Sequence, residues 1–140
     1  MKPILLMLIL FNTTFIFSQP MKEVEKNIEV GMFIKIKNCV SPSKSFESMD
    51  LYTKTRYPAK GFQIDSASGE GIFDQFFTPG DFDAKRLPCS FENQKYRVAA
   101  LKVFPLKGGE KRVMICYTEN PLSLIWIEFD KAVGLKEIEW

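Results

Sequence analysis

The sequence predicts a small, mainly β domain, with an α+β arrangement as the alternative, and three observations support this. Residues 28–37, IEVGMFIKIK, alternate apolar and mostly polar side chains, the period of a strand with one wet face. Two β-rich runs, KYRVAALKVF and KRVMICYT, flank PLKGGE, whose Gly108 and Gly109 suit a tight hairpin. The 46% hydrophobic fraction is that of a globular chain. We expect a small antiparallel sandwich or a barrel-like sheet, with room for one short helix.

The C-terminal part of the chain predicts a three-strand meander. After KRVMICYT, the turn sequence TENP leads into a third β-rich run, LSLIWIEF. The middle run is apolar on both faces, with Val113 and Ile115 on one and Met114 and Cys116 on the other. This pattern is typical of a covered, central strand. The tail, DKAVGLKEIEW, fits either a last strand or a short helix.

Between the first strand and the hairpin the patterns are weaker. Residues 46–61, FESMDLYTKTRYPAKG, follow neither period and are interpreted as a short helical turn or an irregular crossing. Residues 61–65, GFQID, are a strand candidate, and residues 72–77, IFDQFF, are a third apolar run. Residues 78–88, TPGDFDAKRLP, are interpreted as a loop.

The first 18 residues, MKPILLMLILFNTTFIFS, have the pattern of a secretory signal peptide. Lys2 precedes an apolar stretch, Ile4 to Phe17, that is shorter than the ~18 residues of a membrane span. Ser18 is a small residue of the kind that signal peptidases accept. We therefore expect residues 1–18 to be cleaved and residues 19–140 to form one small β-rich domain. That domain is expected to be periplasmic or secreted, with no membrane span after processing.

Charge and composition exclude several functions. The 19 basic and 17 acidic residues nearly balance, which predicts no nucleic-acid partner. The chain has no histidine, so Ser-His-Asp and Cys-His catalysis are excluded and the commonest metal ligand is missing. Its three cysteines lack the C-x₂-C spacing of a zinc site. We predict neither a metal nor a cofactor.

The cysteines are assigned by their surroundings. An exported address permits disulfides, and three cysteines allow one intramolecular bridge. Cys116 lies among apolar residues, which raise a thiol pKa, whereas a nucleophile needs a lowered one. Cys39 follows the first strand and Cys89 follows Pro88 out of a loop. We therefore expect Cys39 and Cys89 to bridge and Cys116 to fill the core.

One stretch, KTRYPAKGF, brings cations and rings together as a candidate ligand site. Such a mixture suits a carboxylate, a phosphate or a sugar, although scattered cations on a solvated loop explain it equally. Phenylalanines also crowd the loop-rich middle of the chain, where they form either a second core or an exposed recognition patch. The candidate ligand-binding residues are Arg56, Tyr57, Lys60, Phe62, Phe76, Phe77 and Phe82.

Four acidic residues, Glu70, Asp74, Asp81 and Asp83, are the raw material for a calcium site or a catalytic carboxylate pair. Their spacing does not reproduce the D-x-[DN]-x-[DN]-G calcium loop, and sequence alone does not fix the separation that a catalytic pair needs. The acidic residues therefore support only an alternative function.

We expect an exported, non-enzymatic binding protein of the cell envelope or the secreted fraction, whose partner is an unknown protein or envelope ligand. An inhibitor or an immunity-type protein is one form of such a binder. The alternative is a small carboxylate-dependent envelope hydrolase, and a purely structural envelope component is a third class. A hydrolase needs carboxylates in a cleft, whereas a binder needs rings and cations on an open surface.

Overall fold

A computed structural model describes residues 28–40 and 42–140, and within them the chain is mainly β, as predicted. The predicted signal peptide lies outside the described residues. The strands are β1 Phe33–Ile36, β2 Ser45–Lys54, β3 Phe82–Pro88, β4 Lys95–Leu106, β5 Gly109–Tyr117, β6 Ser123–Glu128 and β7 Ile138–Glu139. Two short helices, α1 Ile72–Phe76 and α2 Phe129–Gly134, and a 3₁₀ helix, Cys89–Phe91, accompany them.

All strands belong to one antiparallel sheet in the order β3-β2-β6-β5-β4-β1-β7. The sheet is not closed into a barrel, since β3 and β7 stand at opposite ends of that order. Strand β4 pairs with two strands along different parts of its length: residues 95–97 pair with β1, and residues 98–106 pair with β5. In the described ranges there is no helix long and apolar enough to cross a membrane.

The predicted C-terminal meander is confirmed. Strand β5 lies between β4 and β6, with Ile115 opposite both Ala100 and Trp126. Gly108 takes a φ of 88° in the turn between β4 and β5, a backbone region that favours glycine. The tail contains both elements that its sequence allowed, α2 followed by β7.

The sheet is covered on both faces, so the domain has two hydrophobic clusters. The first core contains Ile34, Ile36, Phe46, Met49, Leu87, Val98, Met114, Cys116, Ile125 and Ile127, with residues of α2. The second core contains Ile72, Phe76, Ala99, Ala100, Val113, Ile115 and Leu124, with half-buried aromatic rings around it. Apolar residues on both faces of β5 contribute to both clusters, which explains its uniformly apolar sequence.

The weaker patterns between β1 and β4 gave wrong predictions. Residues 45–54 form β2, which pairs with both β3 and β6. Its strand period is masked because Ser48 and Lys54 are polar residues that are nevertheless buried. The predicted strand at 61–65 does not form, and residues 82–88 of the predicted loop form β3. As an edge strand, β3 buries only Leu87 and leaves residues 83–86 exposed, so its sequence lacks the apolar pattern of a covered strand.

Candidate functional site

The candidate site is built on residues 55–81, which we name the cap segment. This segment leaves the end of β2, carries α1 and returns to the start of β3. Ile72 and Phe76 of α1 are buried in the second core. The cap segment therefore covers one face of the sheet and presents its remaining side chains outward.

Lys54, at the end of β2, ties the cap segment to the sheet. Its side chain is buried, and its Nζ donates hydrogen bonds to the backbone carbonyl oxygens of Gln75 at 2.9 Å and Phe76 at 3.0 Å. The same Nζ lies 3.9 Å from Oδ2 of Asp81. A buried ammonium needs such partners, and here they are carbonyl groups at the end of α1. The sequence does not indicate this role, because Lys54 stands next to a run of loop cations and its partners are 21 residues or more away.

Side chains also hold the cap segment together internally. The amide of Gln75 donates to the carbonyl oxygen of Gln63 at 2.6 Å and accepts a hydrogen bond from the Gln63 backbone N–H. Asp65 closes a turn by accepting the backbone N–H of Ala67 at 2.8 Å. That bond, followed by hydrogen bonding from Ser68, lowers the pKa of the Asp65 carboxyl group. The segment is therefore an ordered cover, although much of its sequence is typical of loops.

The phenylalanines of the cap segment join an aromatic cluster with rings from the sheet. Phe77 lies 5.1 Å from Tyr52 and 5.2 Å from Trp126 between ring centroids, in edge-to-face geometry. Phe73 lies 6.1 Å from Trp126, and the Nζ of Lys102 lies 4.6 Å from the centroid of the Phe73 ring. Such pairs add stabilisation beyond the area they bury. Most of these rings are half-buried, so they close the second core and also line its outer surface.

Beside the aromatic cluster, the cap segment forms a cleft of about 320 Å³. Arg56 and Tyr57 line it with Asp74 and Asp81. Tyr57 is 62% exposed, and the side chain of Arg56 is 82% exposed. Asp81 stands between two cations, because its Oδ1 lies 4.0 Å from the Nε of Arg56 while its other oxygen approaches Lys54. The cleft thus combines mixed charge with an exposed ring.

The structure brings most of the predicted ligand-binding residues together, but in two different roles. Arg56 and Tyr57 form the rim of the cleft, and the Tyr57 ring lies 5.4 Å from that of Phe62. Phe62 in turn contacts the aromatic cluster, because its ring lies 5.6 Å from that of Phe76. The other cluster members from the prediction are the buried Phe76 and the half-buried Phe77 and Phe82. Lys60 is exposed and does not line the cleft.

Of the four candidate acidic residues, two meet in the cleft and two do not. Asp74 and Asp81 line it, whereas Glu70 and Asp83 are exposed elsewhere. Within residues 28–40 and 42–140, no group of three or more cysteine, aspartate or glutamate side chains lies close enough together to hold a metal ion.

The cysteines fall into the predicted arrangement. Cys39 and Cys89 lie at disulfide distance, with their Cα atoms 5.6 Å apart. Cys116 is buried in β5, and burial raises the pKa of its thiol far above the ordinary value. Because the thiolate is the reactive form, Cys116 is inert core packing in the folded protein.

Comparison with protein-family models, with curated protein sequences and with solved structures finds no match to this chain.

Proposed function

We propose that the chain is an exported, non-enzymatic binding protein of the cell envelope or the secreted fraction, and that it contacts a protein partner through the rim of the cleft. One observation carries the proposal: Arg56 and Tyr57 are adjacent, largely exposed and placed at the mouth of a cleft. Arginine and tyrosine are enriched among the residues that dominate protein interfaces.

The rigidity of the cap segment supports this role. Lys54 is bonded to the end of α1 and Gln75 to Gln63, so hydrogen bonds hold two of the residues that line the cleft, Lys54 and Gln75. A surface that is already ordered loses less conformational entropy on binding, which favours affinity.

The charges of the cleft favour a protein partner over a simple anion. Lys54 and Arg56 are balanced by Asp74 and Asp81 among the lining residues. A carboxylate or phosphate ligand would meet two acidic groups as well as the cations. A mixed-charge protein surface complements such a site, and charge complementarity of this kind supplies specificity. An inhibitor or an immunity-type protein would use its surface in this way.

The exported location is supported by the Cys39–Cys89 pair, since disulfides persist in oxidising compartments. We propose that residues 1–18 act as a signal peptide cleaved after Ser18. The binding domain is then formed by residues 19–140.

A carboxylate-dependent hydrolase is the second candidate, and one observation favours keeping it: Asp74 and Asp81 line the same cleft. Against it, Asp81 lies within 4.0 Å of both Lys54 and Arg56, which suits an ion-pair partner in the site. Assays on peptidoglycan and common glycosides separate the two functions. A hydrolytic rate that is abolished by Asp74→Asn or Asp81→Asn would establish the hydrolase.

Affinity capture tests the binding function. The purified mature chain is immobilised and exposed to envelope and secreted fractions of its host, in parallel with the double variant Arg56→Ala/Tyr57→Ala. The matched control is Leu106→Ala/Lys107→Ala, which removes an adjacent apolar residue and cation that are exposed at the β4–β5 hairpin. We expect one partner to be retained by the wild type and the control and lost by the rim variant. Equal capture by all three would contradict the proposed surface.

A further inference from the structure

A second cavity, of about 390 Å³, lies where the 3₁₀ helix faces the turn between β5 and β6. Its walls combine apolar and polar groups, including Leu51, Phe91, Tyr96, Gln94 and Asn120. Glu119 is the one charged side chain among the described residues that line it. None of the cleft residues lines this cavity. It is therefore a separate site, and nothing in the binding function above depends on it.

The turn sequence TENP places Glu119 at the cavity. Thr118 Oγ1 accepts the backbone N–H of Asn120 at 3.2 Å and lies 3.0 Å from the carbonyl oxygen of Ser123. Asn120 Oδ1 accepts the N–H of Leu122 at 2.9 Å. These bonds order the turn on both sides of Glu119. Among the described residues, the Glu119 carboxylate has no hydrogen-bond donor and no cation as a partner, so it remains available to a ligand.

The opposite wall is aromatic and uncharged. The rings of Phe91 and Tyr96 stack with centroids 5.9 Å apart, and the Tyr96 hydroxyl lies 3.2 Å from Gln94 Oε1. Burial, with a smaller effect of the Glu119 charge, raises the pKa of Tyr96 to about 12, so its phenol is neutral at physiological pH. The 3₁₀ helix that carries Phe91 begins at Cys89, which lies at disulfide distance from Cys39. The wall is thereby anchored to the segment after β1.

We propose that this cavity binds a protonated amine or guanidinium group on an aliphatic stem, such as a lysine or arginine side chain or a free alkylamine. The Glu119 carboxylate supplies a charge-assisted hydrogen bond to the cation. The two rings supply apolar surface and attraction for a cation, and with Leu51 they cover the methylene stem. An anionic ligand would meet the carboxylate with no compensating cation among the lining residues.

Amide NMR on the ¹⁵N-labelled, oxidised mature chain tests this inference. The probes are N-acetyl-lysine methylamide, N-acetyl-arginine methylamide and butylamine, with N-acetyl-norleucine methylamide as the neutral analogue. We expect the cationic probes to shift amide signals of residues 90–96 and 118–123 at concentrations up to ~10 mM, as a single small contact predicts. The norleucine probe should leave those signals in place. Binding of butylamine alone would identify a free amine as the ligand, and binding of the blocked amino acids would identify a side chain.

Two variants test whether the charge of Glu119 is what binds the cationic probes. Glu119→Gln removes the charge while keeping the size of the side chain, and it should weaken binding of the cationic probes at least ~10-fold. Glu110→Gln, which changes an exposed carboxylate on β5, should leave their affinity unchanged. The amide spectrum of each variant reports whether its fold is retained. Equal affinity of wild type and Glu119→Gln, equal binding of the norleucine probe, or no shifts at these residues would overturn the proposal.

Discussion

Gly69 in the cap segment lies so close to Ala99 in β4 that a Cβ atom on Gly69 would stand 2.2 Å from the Ala99 carbonyl oxygen. The backbone of Gly69 also has a φ of 75°, in the region that favours glycine. The cap segment can approach the sheet this closely only because the residue has no side chain. This contact determines how tightly the cap segment covers the second core.

Replacing Gly69 with alanine is therefore expected to loosen the cap segment. We expect Gly69→Ala to lower the free energy of unfolding by about 2–4 kcal/mol, since it adds a backbone clash to the strain of a positive φ. Gly80→Ala is the matched control: its φ is 84°, but its Cβ would meet no atom within 4 Å. Gly80→Ala should lower the free energy of unfolding by only about 1 kcal/mol, the cost of its positive φ. Urea unfolding measures both, and equal losses would show that Gly69 is not a close contact.

The cysteine arrangement predicts a distinct pattern of thiol reactivity. The oxidised, folded protein should resist thiol reagents, and unfolding should expose one reactive thiol, at Cys116. A bridge between Cys39 and Cys89 spans 50 residues. It should contribute about 4 kcal/mol to stability on the chain-entropy account. Peptide mapping under non-reducing conditions tests the pairing. Rapid labelling of Cys116 in the folded protein, or its recovery in a disulfide, would contradict this arrangement.

Tyr96 predicts a loss of stability at alkaline pH. Its pKa is raised from the ordinary 10.0 to about 12, chiefly by burial. The unfolded chain therefore releases the phenol proton near pH 10, whereas the folded protein keeps it until about pH 12. The contribution of Tyr96 to the free energy of unfolding is thus fully present below pH 10 and decreases as the pH rises toward 12.

The variant Tyr96→Phe isolates this effect. Its free energy of unfolding should fall less steeply between pH 10 and 12 than that of the wild type, although Tyr52, whose pKa is also raised, keeps part of the slope. Tyr57→Phe, which changes an exposed ring, is the control. Urea unfolding across this pH range measures the slopes. Parallel curves for the wild type and Tyr96→Phe would contradict the predicted linkage.

The parts of the fold that were predictable from sequence are those where one local rule is enough. The β4–β5 hairpin follows from two β-rich runs around Gly108, and the central place of β5 follows from apolar residues on both of its faces. Strand β2 could not be predicted in this way. Ser48 is buried because it bonds to Glu137, near the C-terminus, and Lys54 because it bonds to α1. Both partners are distant in sequence.

The candidate site was predictable in composition and not in geometry. Arg56 and Tyr57 stood out as an adjacent cation and ring, and the structure places both at one cleft. The sequence gives no indication that Asp74 and Asp81 share that cleft while Glu70 and Asp83 do not, because α1 decides which side chains face it. The cavity at Glu119 is not predictable from the sequence, for a similar reason. Its walls come from the 3₁₀ helix and the β5–β6 turn, which only the folded sheet brings together.

Processing of the leader gives a prediction of its own. We expect protein recovered from the native host to begin at or next to Gln19, because Lys2, the short apolar stretch and Ser18 all indicate one cleavage. Intact-mass measurement decides this. Retention of residues 1–18 in the mature form would contradict the exported location. The protein would then have no oxidising compartment in which a disulfide is expected to persist.

The measurement that tests the binding function most directly is the affinity of the captured partner for three forms of the mature chain. Calorimetry with the purified partner compares the wild type, Arg56→Ala/Tyr57→Ala and the hairpin control Leu106→Ala/Lys107→Ala. Loss of the rim should weaken binding at least ~10-fold, or about 1.4 kcal/mol, because Arg and Tyr anchors dominate interface energies. The hairpin control should bind as the wild type does. Undiminished affinity of the rim variant, with its fold intact, would show that the cleft is not the binding surface.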